Sequence, residues 1–489
     1  MEVVEGQKRE QLLILSTLAA GILFDYLFNG KEFGISYPVY VLVLLGLFWG
    51  SMRKTIPVHK GFGWFVLIPV FLLAATFAVY SNPVLQLINF LLIPALLVVH
   101  TILAANNNLS WSGLSIIGHM IRRVIPLTFE NFPRPFLFVK KQFKPKENGR
   151  DMLTAKKIAA GLLICVPVLL IVLPLLSSAD MVFNHYLINF SRIWEYIDIS
   201  PAIEHGLIIL FVFVYLYGYI WSFYSKPPAI ETEKPAKQFF LDPVTILTVL
   251  LVINLVYLLF SIIQFSYLYG GQSHMLPDGF TYAEYARRGF FELVAVAVIN
   301  LIIQLSSMRY AEKKAQGVNL AVRCCLILLV FFSLVMLFSA HFKMSLYEEA
   351  CGLTYLRVFV HYFMCLLFVL FMIALGHAWY HKIPVIKAYI VIALIFYTVL
   401  NFINVDKIIA RNNIDRYFRT GEIDINYMQT LSYDAVPDML ILANDSNQEI
   451  SRQVKDYMLL KKQGLSKDEP WQSFNYSRYR AKAVLEGDL

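Results

Sequence analysis

The chain has 489 residues, 58% of them hydrophobic and 15% aromatic, with only 16% charged and a mean hydropathy of +0.59. A soluble protein carries about a quarter charged residues, so a purely soluble fold is excluded. The formal net charge of +8 does not point to nucleic acid, because the basic residues flank apolar runs and serve orientation there.

Apolar runs of about 20 residues, enough to cross a hydrocarbon core of about 30 Å, recur along the chain. They predict an all-α polytopic bundle of about eleven spans, at 11–28, 35–51, 62–80, 84–104, 157–176, 203–224, 243–267, 288–308, 318–340, 353–376 and 384–403. The N-terminal basic patch and apolar run resemble a signal peptide, but with so many spans following they are expected to remain as the first helix. Four spans therefore occupy 1–104, and a basic segment with an interfacial helix occupies 105–156. In that segment Trp111, Leu114, Ile117 and Ile121 recur at helical spacing before Arg122 and Arg123, as a helix on an anionic leaflet would. A seven-helix core is expected over 157–403, with an amphipathic, aromatic stretch at 177–202 that reads as surface or re-entrant.

With the N-terminus inside, the Lys and Arg of the connecting segments divide twenty-three inside to five outside. That bias predicts a cytoplasmic N-terminus and, with an odd number of spans, an extracytoplasmic C-terminus. The last segment, 404–489, is polar and balances twelve basic against thirteen acidic residues. It reads as a small helical tail docked on the membrane part, with Gly421 and Gly464 as stops.

The informative stretch is ARRGFFELVAVAVINLIIQL, residues 286–305. Arg288, Glu292, Asn300 and Gln304 fall on one side of the predicted helix. A charge at mid-membrane costs about 2.5–3.5 kcal/mol, so this side is expected to face other helices. The tenth span places Arg357, His361 and Cys365 at i, i+4 and i+8. The expected arrangement is therefore Glu292 opposite Arg357 and His361 in an outer-leaflet pocket, rimmed by Arg287 and Arg288, with Glu348 and Glu349 as counter-charges. Such a pocket suits an anionic small molecule or lipid headgroup. An ion pair that merely fixes helix register accounts for the same residues.

Polar stripes at Asn254, Tyr257, Ser261 and Gln264, and at Gln86, Asn89 and His100, read first as interhelical hydrogen bonds. Asp25 reads as interfacial. His377 and His381 have a metal-like i, i+4 spacing but no third ligand nearby. Five scattered cysteines, Cys165, Cys324, Cys325, Cys351 and Cys365, read as free thiols. No phosphate loop, HExxH or GxSxG motif is present in the sequence, so no cofactor, no metal and no catalytic residue is assigned.

Five phrases carry a resemblance: LPLLSSADMVF (173–183), YARRGFFELVAVAVINL (285–301), GLTYLRVFVHYFM (352–364), ARNNIDRYFRTG (410–421) and LSYDAVPDML (431–440). Together they resemble a bacterial family of uncharacterised multi-pass proteins, a domain of unknown function numbered four-one-seven-three or four-one-five-three. The resemblance covers about 155–480 and implies a bacterial cytoplasmic-membrane protein with a polar tail; it implies no reaction. Three readings of function follow. One is handling of a small anionic or lipid-derived solute through Glu292, Arg357, His361, Arg287, Arg288 and Asn300. The second is an envelope scaffold or sensor whose tail docks a protein partner. The third is a membrane enzyme acting on lipid-linked substrates.

Overall fold

The structure, a computed structural model, describes residues 2–52, 61–106, 109–113, 115–143, 176–177, 180, 183, 201–224, 242–268, 289–310, 316–380, 383–465 and 469–487. All but the last residue of the expected fifth span at 157–176, most of the 177–202 stretch, and Arg287 and Arg288 lie outside these residues. The described residues are helical without strands, as the composition implied. Among the described residues eight helices are long and apolar enough to cross a membrane, and one further pair passes only together, bent by 60°.

Two compact units are formed. The first comprises 1–79, 87–230 and 468–475. In it α1 (Glu2–Phe28) packs on α2 (Ser36–Met52), and α2 packs on α3 (Leu67–Val79). Then come α4 (Pro83–Ala105), the short α5 (Ser115–Arg122) and α6 (Arg134–Phe143), and α7 (Pro201–Trp221), which packs on α1. Gly21 permits that last contact, since a Cβ there would lie 2.8 Å from the Ile209 carbonyl oxygen. Polar residues here are paired between helices. Asn89 donates to Thr76 Oγ1 at 3.1 Å, and His100 accepts from Trp49 Nε1 at 3.1 Å while its Nδ1 meets the Gly63 carbonyl at 2.8 Å. Asp25 sits 2.7 Å from His205 Nδ1, so it pairs across helices.

The second unit comprises 80–86, 231–467 and 476–489. Its bundle is α8 (Pro243–Leu268), α9 (Phe290–Tyr310), α10 (Gln316–Cys351), α11 (Tyr355–Trp379) and α12 (Val385–Leu400). Helix α10 is the central element, packing on α8, α9 and α11. At 36 residues it extends about 54 Å, well beyond the hydrocarbon thickness. Its last turns therefore reach past the span. Small and flexible residues fill the contact between α9, α10 and α11, with Ala297, Met336, Ala340, Met344 and Phe371 all buried. In lipid such packing, and not water exclusion, holds helices together.

The eleventh expected span, 384–403, falls on α12 (Val385–Leu400), which passes as a span only together with the helix that follows it. Helix α12 has 16 residues, about 24 Å, and is followed by the bend into α13 (Val405–Thr420). Asn404 causes the restart, its side chain capping α13 by accepting from the Lys407 amide at 3.0 Å. The tail continues through α14 (Gln448–Gln463) and α15 (Tyr476–Gly487). Its core of Ile409, Met428, Leu431, Val436, Met439, Val454, Met458 and Leu485 also takes in Leu353 at the head of α11. Each such buried side chain contributes about 1.5–3 kcal/mol where water is the alternative. Tail and α11 thus share one core.

Candidate functional site at the ends of helices α10 and α11

Helix α10 ends at Cys351 and the chain reverses through Gly352, whose φ of +78 suits glycine. A Cβ there would lie 2.5 Å from Asn413 Oδ1. Asn413, on α13, holds the turn with both ends of its amide, accepting from the Leu353 amide at 2.7 Å and donating to the Leu353 carbonyl at 2.8 Å. The last carbonyls of α10 are orphaned by helix geometry, and two arginines cover them. Arg416 donates to Glu349 and Ala350 at 3.0 and 2.6 Å. Arg357 donates to Cys351 at 3.1 Å and to Gly352, and its guanidinium lies 4.2 Å over the Tyr347 ring. Positive charge at a helix C-terminus also meets the favourable end of the helix dipole.

The expected Glu292–Arg357 facing pair is therefore not formed. Glu292 is exposed in the first turn of α9, where a carboxylate suits the dipole. The charge it acts on is Lys343 of α10, 9% exposed. Asn300 lies elsewhere, wholly buried in the bundle, donating to Ser333 Oγ at 2.9 Å and accepting from Tyr257 Oη at 2.7 Å.

His361 is where the chemistry gathers. Its Nε2 lies 2.9 Å from Glu348 Oε1, at ion-pair distance but off hydrogen-bond alignment. Its Nδ1 lies 2.9 Å from His341 Nδ1 on α10. Two imidazole nitrogens in such contact require one donor and one acceptor. With the His361 proton on Nε2 toward Glu348, His341 donates through Nδ1 and leaves its Nε2 as the acceptor. In that tautomer the arrangement can relay a proton from His341 Nε2 along His341 and His361 to Glu348 once the His361 ring turns its Nε2 into line. His341 and Lys343 were missed in the sequence because they end the apolar run LVMLFSAHFKMS, where a lone histidine looks interfacial.

A crevice of about 370 Å³ lies on the same helix faces. It is lined by Leu334, Phe338 and Ser339 of α10, Phe368 of α11, and Ser261 and Gln264 of α8. His341 lies three residues past Phe338, and His361 seven residues before Phe368, so they share those helix faces, one turn and about two turns from the crevice lining. Phe338 and Phe368 are 57% and 50% exposed, so the crevice opens on the lipid-facing flank. A second cavity, of about 350 Å³, lies at the α10–α11 turn beside Asn413, Arg416, Glu422 and Tyr427. There Arg416 is engaged on backbone carbonyls and on Glu422 at 2.9 Å, which suits a structural joint. Among the described residues no three His, Cys, Asp or Glu side chains converge as metal ligands.

Fold and site together define a multi-pass helical membrane protein with a polar helical tail. Its chain belongs to the family described as domain of unknown function (DUF4153), whose model matches residues 67–442. No curated protein and no solved structure matches it. Of the five phrases behind the resemblance, the 352–364 and 410–421 phrases meet at the Gly352 turn, through Arg357, Asn413 and Arg416.

Proposed function

We propose that this protein handles a lipid-derived amphiphile, with the apolar chain in the α8–α10–α11 crevice and the polar head at His341, where the Glu348–His361–His341 chain exchanges a proton with it. The observation that carries this reading is the coincidence of a lipid-facing apolar crevice with a carboxylate–histidine–histidine chain at its head. A volume of about 370 Å³ falls within the range of small-ligand pockets, about 300–1,000 Å³. Ionisable groups at the edge of a span commonly mark substrate or proton paths. Arg357 holds the α10 terminus and leaves the head position to the two histidines.

A phospholipid carrying a diazirine in its acyl chain, incorporated into membranes with the protein, tests this. Crosslinks are expected at Phe338 and Phe368 and should fall at least fivefold in Ser339→Trp, which fills the crevice. Labelling of Ser339→Trp equal to the native protein, or spread evenly over exposed positions such as Leu255 and Ile302, would sink the reading.

A second reading, docking of an envelope protein on the tail, draws on the large apolar side chains the tail leaves exposed, Phe418 at 60%, Ile441 at 58% and Leu460 at 67%. It predicts partner capture that Leu460→Asp abolishes and Ser339→Trp leaves intact. We place the protein in a bacterial cytoplasmic membrane, N-terminus inside and tail outside, on the Lys and Arg bias of its loops. Single cysteines at the exposed positions Thr420 and Ser446, in a cysteine-free background, should react with an impermeant thiol reagent on intact cells. Reaction only after the membrane is opened reverses the placement.

A further inference from the structure

The four polar residues on one face of α8 are incompletely paired. Asn254 donates to the Cys325 carbonyl at 3.0 Å and Tyr257 to Asn300 at 2.7 Å. Yet Asn254 Oδ1, Ser261 Oγ and Gln264 Oε1 are buried without a partner, as are both amide atoms of Gln304 on α9. Gln304 is 1% exposed, Asn254 4% and Gln264 8%. Leaving a buried polar group unpaired costs about 1–3 kcal/mol, and this cost is incurred at five atoms of one bundle. Gln304 is the most telling, because its Nε2 needs an acceptor and its Oε1 a donor. A cation or a carbonyl would serve only one of them; water serves both.

The groups are also ordered. Gln264 and Ser261 line the crevice with Ser339, two residues before His341. Tyr257, Asn300 and Ser333 form the next, hydrogen-bonded rung, and Asn254 with Gln304 lies a turn further along α8 and α9. From Gln264 to Asn254 is about 15 Å along the helix, roughly half the hydrocarbon thickness.

We propose that the bundle of the second unit holds a file of internal waters along these groups, and that the file carries protons between its depth and the Glu348–His361–His341 chain. At each step one water O–H bond breaks as its neighbour's forms, so one proton is delivered for each one taken up and no electron moves. The file rests on the proposed function only for its mouth at the crevice. Its own waters depend on Gln304 and Asn254, which no amphiphile need touch.

In a cysteine-free background, Gln304→Cys, Ser261→Cys and the lipid-facing Ile302→Cys are treated with silver ion. The first two should react at least tenfold faster than Ile302→Cys; a Gln304→Cys as slow as Ile302→Cys overturns the file. In proteoliposomes with a trapped pH dye, a valinomycin-set potassium potential should drive proton uptake, at least tenfold slower in Gln304→Leu. Reactive cysteines with unchanged flux in Gln304→Leu, or no flux in the native protein, overturn proton carriage. If Gln304 variants fail to accumulate, Ser261→Cys gives both readings, since silver binding should block its flux. Failure of lipid crosslinking with silver reactivity intact would strike the proposed function and leave the file standing.

Discussion

Two sets of buried polar groups lie in the second unit, one in the tail and one in the bundle, and they are finished to different degrees. In the tail, Asp434 receives hydrogen bonds from the Ser81 amide and hydroxyl at 2.7 and 2.8 Å, from Ser432 at 3.0 Å, from Asn404 at 3.2 Å and from Ser477. Asp406, 1% exposed, receives Asn82 at 2.6 Å, the Ser432 amide at 2.8 Å and Tyr355. Every oxygen of these two carboxylates is answered. In the bundle, Gln304, Gln264 and Ser261 are left open. Saturated carboxylates act as fasteners that lock the tail to the 80–82 segment and the head of α11. Open amides in a membrane core keep room for something that moves.

That contrast predicts opposite outcomes. The largest effect belongs to Asp434→Ala, which strands five donors. Charge-assisted bonds are worth about 1.5–3 kcal/mol each and do not sum simply. A loss of at least about 3 kcal/mol is expected, visible as a large fall in the melting temperature of detergent-purified protein. A melt within a degree of the native one would show that Asp434 is no fastener.

Gly352→Ala ranks next. It forces a left-handed residue, costing about 1–2 kcal/mol, and drives a methyl group to 2.5 Å from Asn413 Oδ1. Melting should fall by less than in Asp434→Ala, and Asn413→Ala in the same chain should recover part of the loss. By contrast, His361→Asn should leave melting nearly unchanged while proton exchange at the crevice head is lost, measured as dye-reported uptake in proteoliposomes. A collapse of stability there would make the Glu348–His361 pair a fastener too.

The smallest effect is at Lys461. Burial pulls its ammonium below the usual lysine range, with Asp406 pulling the other way. Its Nζ donates to the Leu431 carbonyl at 3.1 Å and lies 4.7 and 5.3 Å over the Tyr433 and Tyr457 rings. A depressed lysine is protonated more readily in the unfolded chain. Its cost is therefore fully present below the folded value and relieved as pH rises toward about 10.4. Lys461→Met should shift stability by under about 1 kcal/mol at neutral pH. It should also remove the Lys461 contribution to the change of stability with alkaline pH, read as the difference between variant and native melts from about pH 8 to about 10.4.

The helical membrane class was legible from apolar run length alone, because each span needs its own twenty or so residues whatever it packs against. The bend at Asn404 was not, since the apolar run of Val385–Leu400 gives no sign of the cap that restarts the helix there. In the site, helical spacing placed His361 and Arg357 on one helix but said nothing of their partners. Arg357 turned to the α10 carbonyls because helix ends demand acceptors' donors locally, a pull stronger than a distant carboxylate. His341 carried no periodic signal of its own. The α8 stripe was visible as a stripe, while its unpaired atoms emerged only once neighbouring helices were in place.

The central claim is that the crevice headed by His341 holds an amphiphile. Native mass spectrometry of the protein released from membranes in mild detergent tests it most directly. A retained lipid-like adduct is expected on the native chain, lost in Ser339→Trp and kept in Leu460→Asp. An unadorned native chain, or an adduct equally present in Ser339→Trp, would contradict it.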